Sequence, residues 1–398
     1  MKIGVYYVES TNVDSVNINR YNRELVDKLG ELSGQDISFV ELEEAKEQDL
    51  LLSFIGGGGT EGRFKAILDK LPRPVFLLTT GKNNSLAASM EILSYLEQNG
   101  IKGEIIHGSE EIMAKRIKTL STVFAAKKKI SSMRLGCVGK PSDWLISSDV
   151  DRALSKEKNG IEIVDIPMEE FFDEIAKKEY PENEYTEMVK GRNWHPQDTE
   201  VCCQIYGALD RLVKKYRLDG VTVRCFDLLG PIKGTGCLAL AILNAQGIYA
   251  GCEGDVPSLI SMAVIGELSG KPVFMANPSR IISETGEIIF AHCTLPLNMP
   301  KEVELMTHFE SGLGVAFRGK IEEGPVTIFK TSGLLDRYFV KAGTLEENLC
   351  ETNLCRTQIR IRLEEEALRY FLTHSIGNHH LIVTGDHEEV VKEFYKWL

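Results

Sequence analysis

Ile248 to His292, IYAGCEGDVPSLISMAVIGELSGKPVFMANPSRIISETGEIIFAH, is the stretch on which the reading of this chain turns. A short apolar strand runs into the acidic turn Cys252-Glu253-Gly254-Asp255. An apolar helix follows, then a second strand, a turn at Asn277-Pro278-Ser279-Arg280, and a third strand ending on His292. Glu253, Asp255, Asn277 and His292 thus stand where strands end, which is where α/β proteins bind their ligands. The pattern points to this stretch as the centre of a functional site.

Working outward, the N-terminal part alternates strands and helices. KIGVYYV, DISFVELE, DLLLSFI, RPVFLLTTG and GEIIHGS read as strands. Helical spacing of apolar residues appears around Asn19 to Leu32, in SLAASMEILSYLEQNG, and in a segment ending near Lys129. Such alternation implies an open parallel sheet covered by helices, here flavodoxin-like. The run Gly56–Gly59 contains neither dinucleotide nor P-loop spacing. It reads as a loop in which glycine supplies unusual backbone angles, or as one that approaches a ligand held by a neighbouring subunit. The α/β pattern restarts at MRLGCVGKPSDWLI. IEIVDIP and GVTVRCFDLL are its next strands, Thr199 to Tyr216 and CLALAILNAQG its helices, and Tyr180 to Pro196 a polar loop. Beyond His292 the runs shorten and alternate, with Gly-rich breaks, as in antiparallel β structure. The domains expected are 1–132 and 133–286, both parallel α/β, and a β-rich, barrel-like 287–398.

Composition sets limits. The chain has 398 residues, 43% hydrophobic and 26% charged, with a formal net charge of −12. Nucleic-acid binding calls for a basic footprint, so that balance argues against such a partner. No apolar run approaches the roughly 20 residues of a membrane helix, and the first residues read as a strand rather than a leader. Nine scattered cysteines without a CxxC pair suit reduced, mostly buried thiols. A cytoplasmic protein is expected.

Two parallel α/β domains followed by antiparallel β, with CEGDVPSLI, HCTLP, THFESGLGVAF, EEGPVTIFK and GNHHLIVTGDH, resemble the L-fucose isomerase/L-arabinose isomerase family. The resemblance is strongest from Ala250 onward; the N-terminal third matches in architecture only. It implies aldose–ketose isomerisation of a monosaccharide, a divalent metal, most often Mn²⁺, and a homo-oligomeric trimer or hexamer. Carried over by position, the metal ligands are Glu253, His292 and His379, with Asn277 where the family has a second acidic residue. His308, His380, Asp227 and Arg356 are candidates for substrate binding.

The chemistry explains the residue types. Moving a carbonyl between C1 and C2 requires removing a proton from one carbon and returning it to the next, through an enediolate. Carboxylates serve as base and acid, and oxygen and imidazole ligands suit a metal such as Mn²⁺. Asn277 can still ligate the metal through its amide oxygen or hydrogen-bond a sugar hydroxyl, but it cannot be a general base. The second acid then falls to Asp255, Asp227, Glu284 or Glu310, or Glu253 acts alone. Two alternatives stand beside a neutral-sugar isomerase. One is a non-catalytic or regulatory sugar-binding protein. The other is an isomerase of an anionic sugar derivative, for which the Arg356 guanidinium suits a phosphate or sulfonate. His379 and His380 begin a strand, so they face opposite ways and only one can enter the site.

Overall fold

A computed structural model describes residues 1–10 and 15–398, with side chains from Arg20 onward in the first helix. The chain divides into two compact units, Met1–Lys128 with Lys392–Leu398, and Lys129–Val391.

The first unit is a five-stranded parallel sheet of β1 (Ile3–Val8), β2 (Ile37–Phe39), β3 (Leu50–Ile55), β4 (Val75–Leu78) and β5 (Gly103–Ile106). Their order is β2-β1-β3-β4-β5, the flavodoxin-like winding expected from the sequence. β3 and β4 are buried throughout, which is why they read as unbroken apolar runs. The glycine loop after β3 packs closely: Gly58 N–H donates to the Asn83 carbonyl at 2.8 Å. A Cβ at Gly57 would come within 2.9 Å of that carbonyl.

The second unit contains a four-stranded parallel sheet and a closed barrel. The sheet comprises β6 (Arg134–Val138), β7 (Glu162–Ile166), β8 (Gly220–Val223) and β9 (Tyr249–Cys252), in the order β7-β6-β8-β9. The antiparallel barrel is formed by β10 (Phe274–Ile282), β11 (Glu287–His292), β14 (Gly324–Thr331), β15 (Tyr338–Leu349), β16 (Thr357–Arg362) and β17 (His380–Thr384). β12 (Glu302–Met306) and β13 (Ala316–Lys320) form a separate ribbon. Phe274, Ile288, Phe290, Ile328, Ile361 and Ile382 fill the barrel.

The helix Val256–Ser269 joins sheet to barrel. It packs on β8 and β9 on one side and on β14 and β17 on the other. A helix apolar all round is what such a sandwiched position requires, and its residues from Val256 to Gly266 are all buried. Its start is fixed by Asp255, whose Oδ1 accepts the Ser258 N–H at 2.8 Å, and its end by Gly270 at φ +63°.

Two local expectations are corrected. Asn277-Pro278-Ser279-Arg280 is no turn: β10 runs through it, with a register shift between Pro278 and Arg280. A bulge is where a strand tolerates proline's missing N–H. Within the polar segment from Tyr180 to Pro196, Glu184–Gly191 is helical, because Asn183 and Thr186 form a reciprocal capping box. Among the described residues, no helix is long and apolar enough to cross a membrane.

Candidate metal and sugar site

The turn after β9 sets the site. Glu253 has φ +64° and Gly254 φ +70°, two successive left-handed residues. A Cβ at Gly254 would meet the Lys140 carbonyl at 2.4 Å, so glycine is required there. Glu253, a non-glycine residue held in this conformation, carries backbone strain of the kind that gathers at functional sites. The Ser142 N–H donates to its carbonyl at 2.8 Å.

Glu253 is 8% exposed. Its Oε2 accepts the indole N–H of Trp144 at 2.7 Å, and its Oε1 lies 3.6 Å from Nε2 of His379. The second distance is an ion-pair contact rather than a hydrogen bond. Glu253, His292 and His379 bring one ligand atom each within 4.8 Å of one another, and all three are buried.

His379 is prepared for ligation. Its Nδ1 lies 2.8 Å from Oδ2 of the fully buried Asp255, so Nδ1 carries the shared proton and Nε2 points toward Glu253. Nε2 is buried and has no hydrogen-bond partner among the described residues. An orphaned buried nitrogen calls for a proton and a charge, or for a ligand. Two imidazoles and a carboxylate around it fit a divalent cation, and a carboxylate behind the imidazole is the usual support for a metal-binding histidine. His292 Nδ1 accepts the Thr294 N–H at 3.2 Å. Ligation through its Nε2 therefore requires that hydrogen bond to give way and the ring proton to move to Nδ1, whereas His379, with its Nδ1 proton held by Asp255, has only to release the proton on Nε2.

Asp255 is itself tightly held. Ser258 Oγ donates to its Oδ2 at 2.7 Å, and the buried Lys330 sits 3.9 Å from its Oδ1 while donating to Ser258 Oγ at 2.5 Å. Burial would raise the Asp255 pKa, but Lys330, His379 and Ser258 outweigh it and hold the carboxyl well below its ordinary range. Burial lowers the His379 pKa, yet the carboxylates of Asp255 and Glu253 bring it up to about 9. His292 is pushed down to about 3 by burial and by the charge of His379. A charged and a neutral imidazole thus meet edge to face, their ring centroids 5.4 Å apart, beside Glu253. The Glu253 pKa is lowered: burial opposes ionisation, but His379, His292 and Trp144 prevail.

The other candidates fall into distinct positions. Asn277 follows Ala276, which pairs with His380, and its Oδ1 accepts from Nδ2 of Asn378 at 3.2 Å. It therefore stands beside the His379 backbone. His308 packs edge-on against Phe226, as does Trp144, and feels the charges of both Glu253 and Arg356. Arg356 immediately precedes β16, where Thr357 pairs with His292. His380 turns to the barrel interior among Phe290, Phe339 and Phe371, with Nε2 3.1 Å from the Tyr370 hydroxyl. Asp227 is bound at 3.0 Å by Arg224. Glu284 is exposed in the β10–β11 turn, at the end of the hairpin away from His292. Glu310 feels the charge of Glu253, its pKa raised by burial and then by that charge. Trp144 and Lys330 carry no motif. The strand-end rule extended from β9 to β6 would have pointed to Trp144, which lies in the loop after that strand.

No protein-family model matches the chain. It is 23% identical over 308 residues, 73% of this chain and 68% of the relative, to a sulfoquinovose isomerase of Priestia aryabhattai, and equally to one of Priestia megaterium. A third sulfoquinovose isomerase, of a Clostridium species, is 24% identical over 196 residues, 46% of this chain and 43% of the relative. The link is to isomerases; it does not single out the fucose and arabinose enzymes.

Proposed function

We propose that the protein converts an aldose to its ketose, and that the sugar carries an anionic group such as a sulfonate. The observation that carries this reading is the buried Glu253–His292–His379 cluster with its orphaned Nε2. Similarity to sulfoquinovose isomerases supports the substrate class.

Glu253, His292 and His379 would hold a divalent cation, Mn²⁺ being the ion that the resemblance to the L-fucose/L-arabinose isomerase family implies. When bound, such an ion supplies Lewis-acid polarisation of the sugar oxygens. The protein's own groups do the rest. A carboxylate takes the C2 proton and returns it to C1, while the O2 proton passes to O1; the aldehyde becomes a hydroxymethyl group and C2 becomes the carbonyl. Glu253 is oriented for this by the Trp144 N–H. Glu310, with a raised pKa, complements it as proton donor, since two carboxyls whose pKa values are pushed apart divide acid and base roles. His308 is available for a sugar hydroxyl, its Nδ1 being 3.0 Å from Ser311 Oγ.

The test incubates the purified protein with a 6-sulfonated glucose, with and without added Mn²⁺, and follows ketose by NMR. Turnover by the wild type and its loss in Glu253→Gln are expected. Absence of ketose from sulfonated, phosphorylated and neutral aldoses alike, under every metal condition, overturns the reading. Sugar binding without turnover would favour a non-catalytic sugar-binding protein instead.

A further inference from the structure

We propose that Arg356 recognises the anionic substituent of the sugar, a tetrahedral oxyanion at the end of the chain opposite C1 and C2. This assignment rests on the reading of the Glu253 site given above.

The argument starts from charge. The chain is acidic, with a net charge of −12, and several partly buried arginines of the second unit are matched to carboxylates. Arg224 pairs with Asp143 and Asp227, Arg211 with Glu174, and Arg360 with Glu347. Arg356 is half-buried and has no carboxylate within 4 Å among the described residues. Its Nε donates to the Thr307 carbonyl at 2.7 Å, and one terminal nitrogen donates to Thr307 Oγ1 at 3.2 Å. The Phe309 ring lies 5.6 Å from the guanidinium carbon. These contacts fix the planar group and leave the other terminal nitrogen's donors for a ligand.

Position then decides what the ligand is. Thr357 pairs with His292, so Arg356 stands at the mouth of that strand pair, beside the candidate metal site. His308 feels the charges of both Arg356 and Glu253. A partly desolvated cation without a counter-ion is completed by an anion brought by the ligand. A sulfonate and a phosphate monoester share the required chemistry.

The test titrates metal-loaded wild type, Arg356→Met and Arg356→Lys with a 6-sulfonated glucose, glucose 6-phosphate and unsubstituted glucose by calorimetry, and measures kcat/KM for each. Arg356→Met should weaken the preferred anionic sugar about 10- to 100-fold more than unsubstituted glucose, the scale of a charge-assisted hydrogen bond. Arg356→Lys should recover part of that loss, because it restores charge without the fork. The stronger of the sulfonated and phosphorylated ligands names the oxyanion. An equal loss with all three sugars, or none, overturns the assignment. Arg356-dependent binding of an anionic sugar without turnover upholds the assignment and sinks the isomerase reading; turnover of anionic sugars indifferent to Arg356 does the reverse.

Discussion

His379 Nδ1 lies 2.8 Å from Asp255 Oδ2, with both side chains fully buried and their positions 124 residues apart in the chain. One carboxylate thereby caps the helix Val256–Ser269 and fixes the tautomer of a histidine delivered by the barrel. The contact ties the sheet's turn to the barrel's rim, and it aims Nε2 at Glu253.

Asp255→Asn should therefore weaken Mn²⁺ binding by about 10- to 100-fold, the usual effect of losing the carboxylate behind a ligating histidine. It also leaves Lys330 buried without its counter-charge, at a cost of about 3–5 kcal/mol of stability. Calorimetric titration with Mn²⁺ and urea denaturation measure the two effects separately. Unchanged metal affinity in a folded variant would show that His379 needs no such support.

Trp144 is 53% exposed, so its substitution by phenylalanine should disturb folding little. Phenylalanine keeps a ring against Phe226 but removes the N–H that holds Glu253 Oε2. A fall of about tenfold in kcat/KM is expected for loss of one hydrogen bond to a charged acceptor. The thermal midpoint should stay within a few degrees of wild type. Full activity in Trp144→Phe would remove the indole from the catalytic arrangement.

Asn277 occupies the position where the resemblance implies an acid, and it stands next to the His379 segment through Asn378. Asn277→Asp adds a negative charge there. Mn²⁺ affinity should rise by about tenfold, the scale of a partly screened charge a few ångströms away. Affinity that stays level or falls would place position 277 outside the ion's field.

In the first unit, Glu104 is bound by Arg116 at 2.5 and 2.7 Å and by Lys396 at 2.8 Å. Burial would raise its pKa, but these cations outweigh burial and lower it. A depressed carboxylate stabilises the fold above its unfolded pKa, and that contribution is lost as pH falls through the folded value. Glu104→Gln should therefore cost about 1 kcal/mol at pH 7. The difference from wild type should close as pH falls below about 4. Urea midpoints of both proteins across that range provide the check, and a difference independent of pH would contradict it.

Strand–helix alternation was enough to read the flavodoxin-like winding, because buried parallel strands must be continuous apolar runs. Short alternating runs likewise marked the barrel. Local polarity misled at two places. The capping pair Asn183–Thr186 turned a polar segment into a helix, and a bulge let β10 pass through proline. Neither device changes hydrophobic periodicity, so a pattern based on it does not register them.

At the site, the sequence by itself determined that Glu253 follows a strand and precedes a helix, and that His379 and His380 face opposite ways. Both follow from backbone geometry local to a few residues. Which histidine meets Glu253 was decided by the barrel. The pairing of His380 with Ala276, a core residue, turns His380 inward and leaves His379 to Asp255 and Glu253. The same holds for Trp144, Lys330 and Arg356, whose partners lie 49 to 109 residues away. Contacts of that separation are set by strand register and by how the helix Val256–Ser269 is sandwiched, quantities that no local pattern of residues encodes.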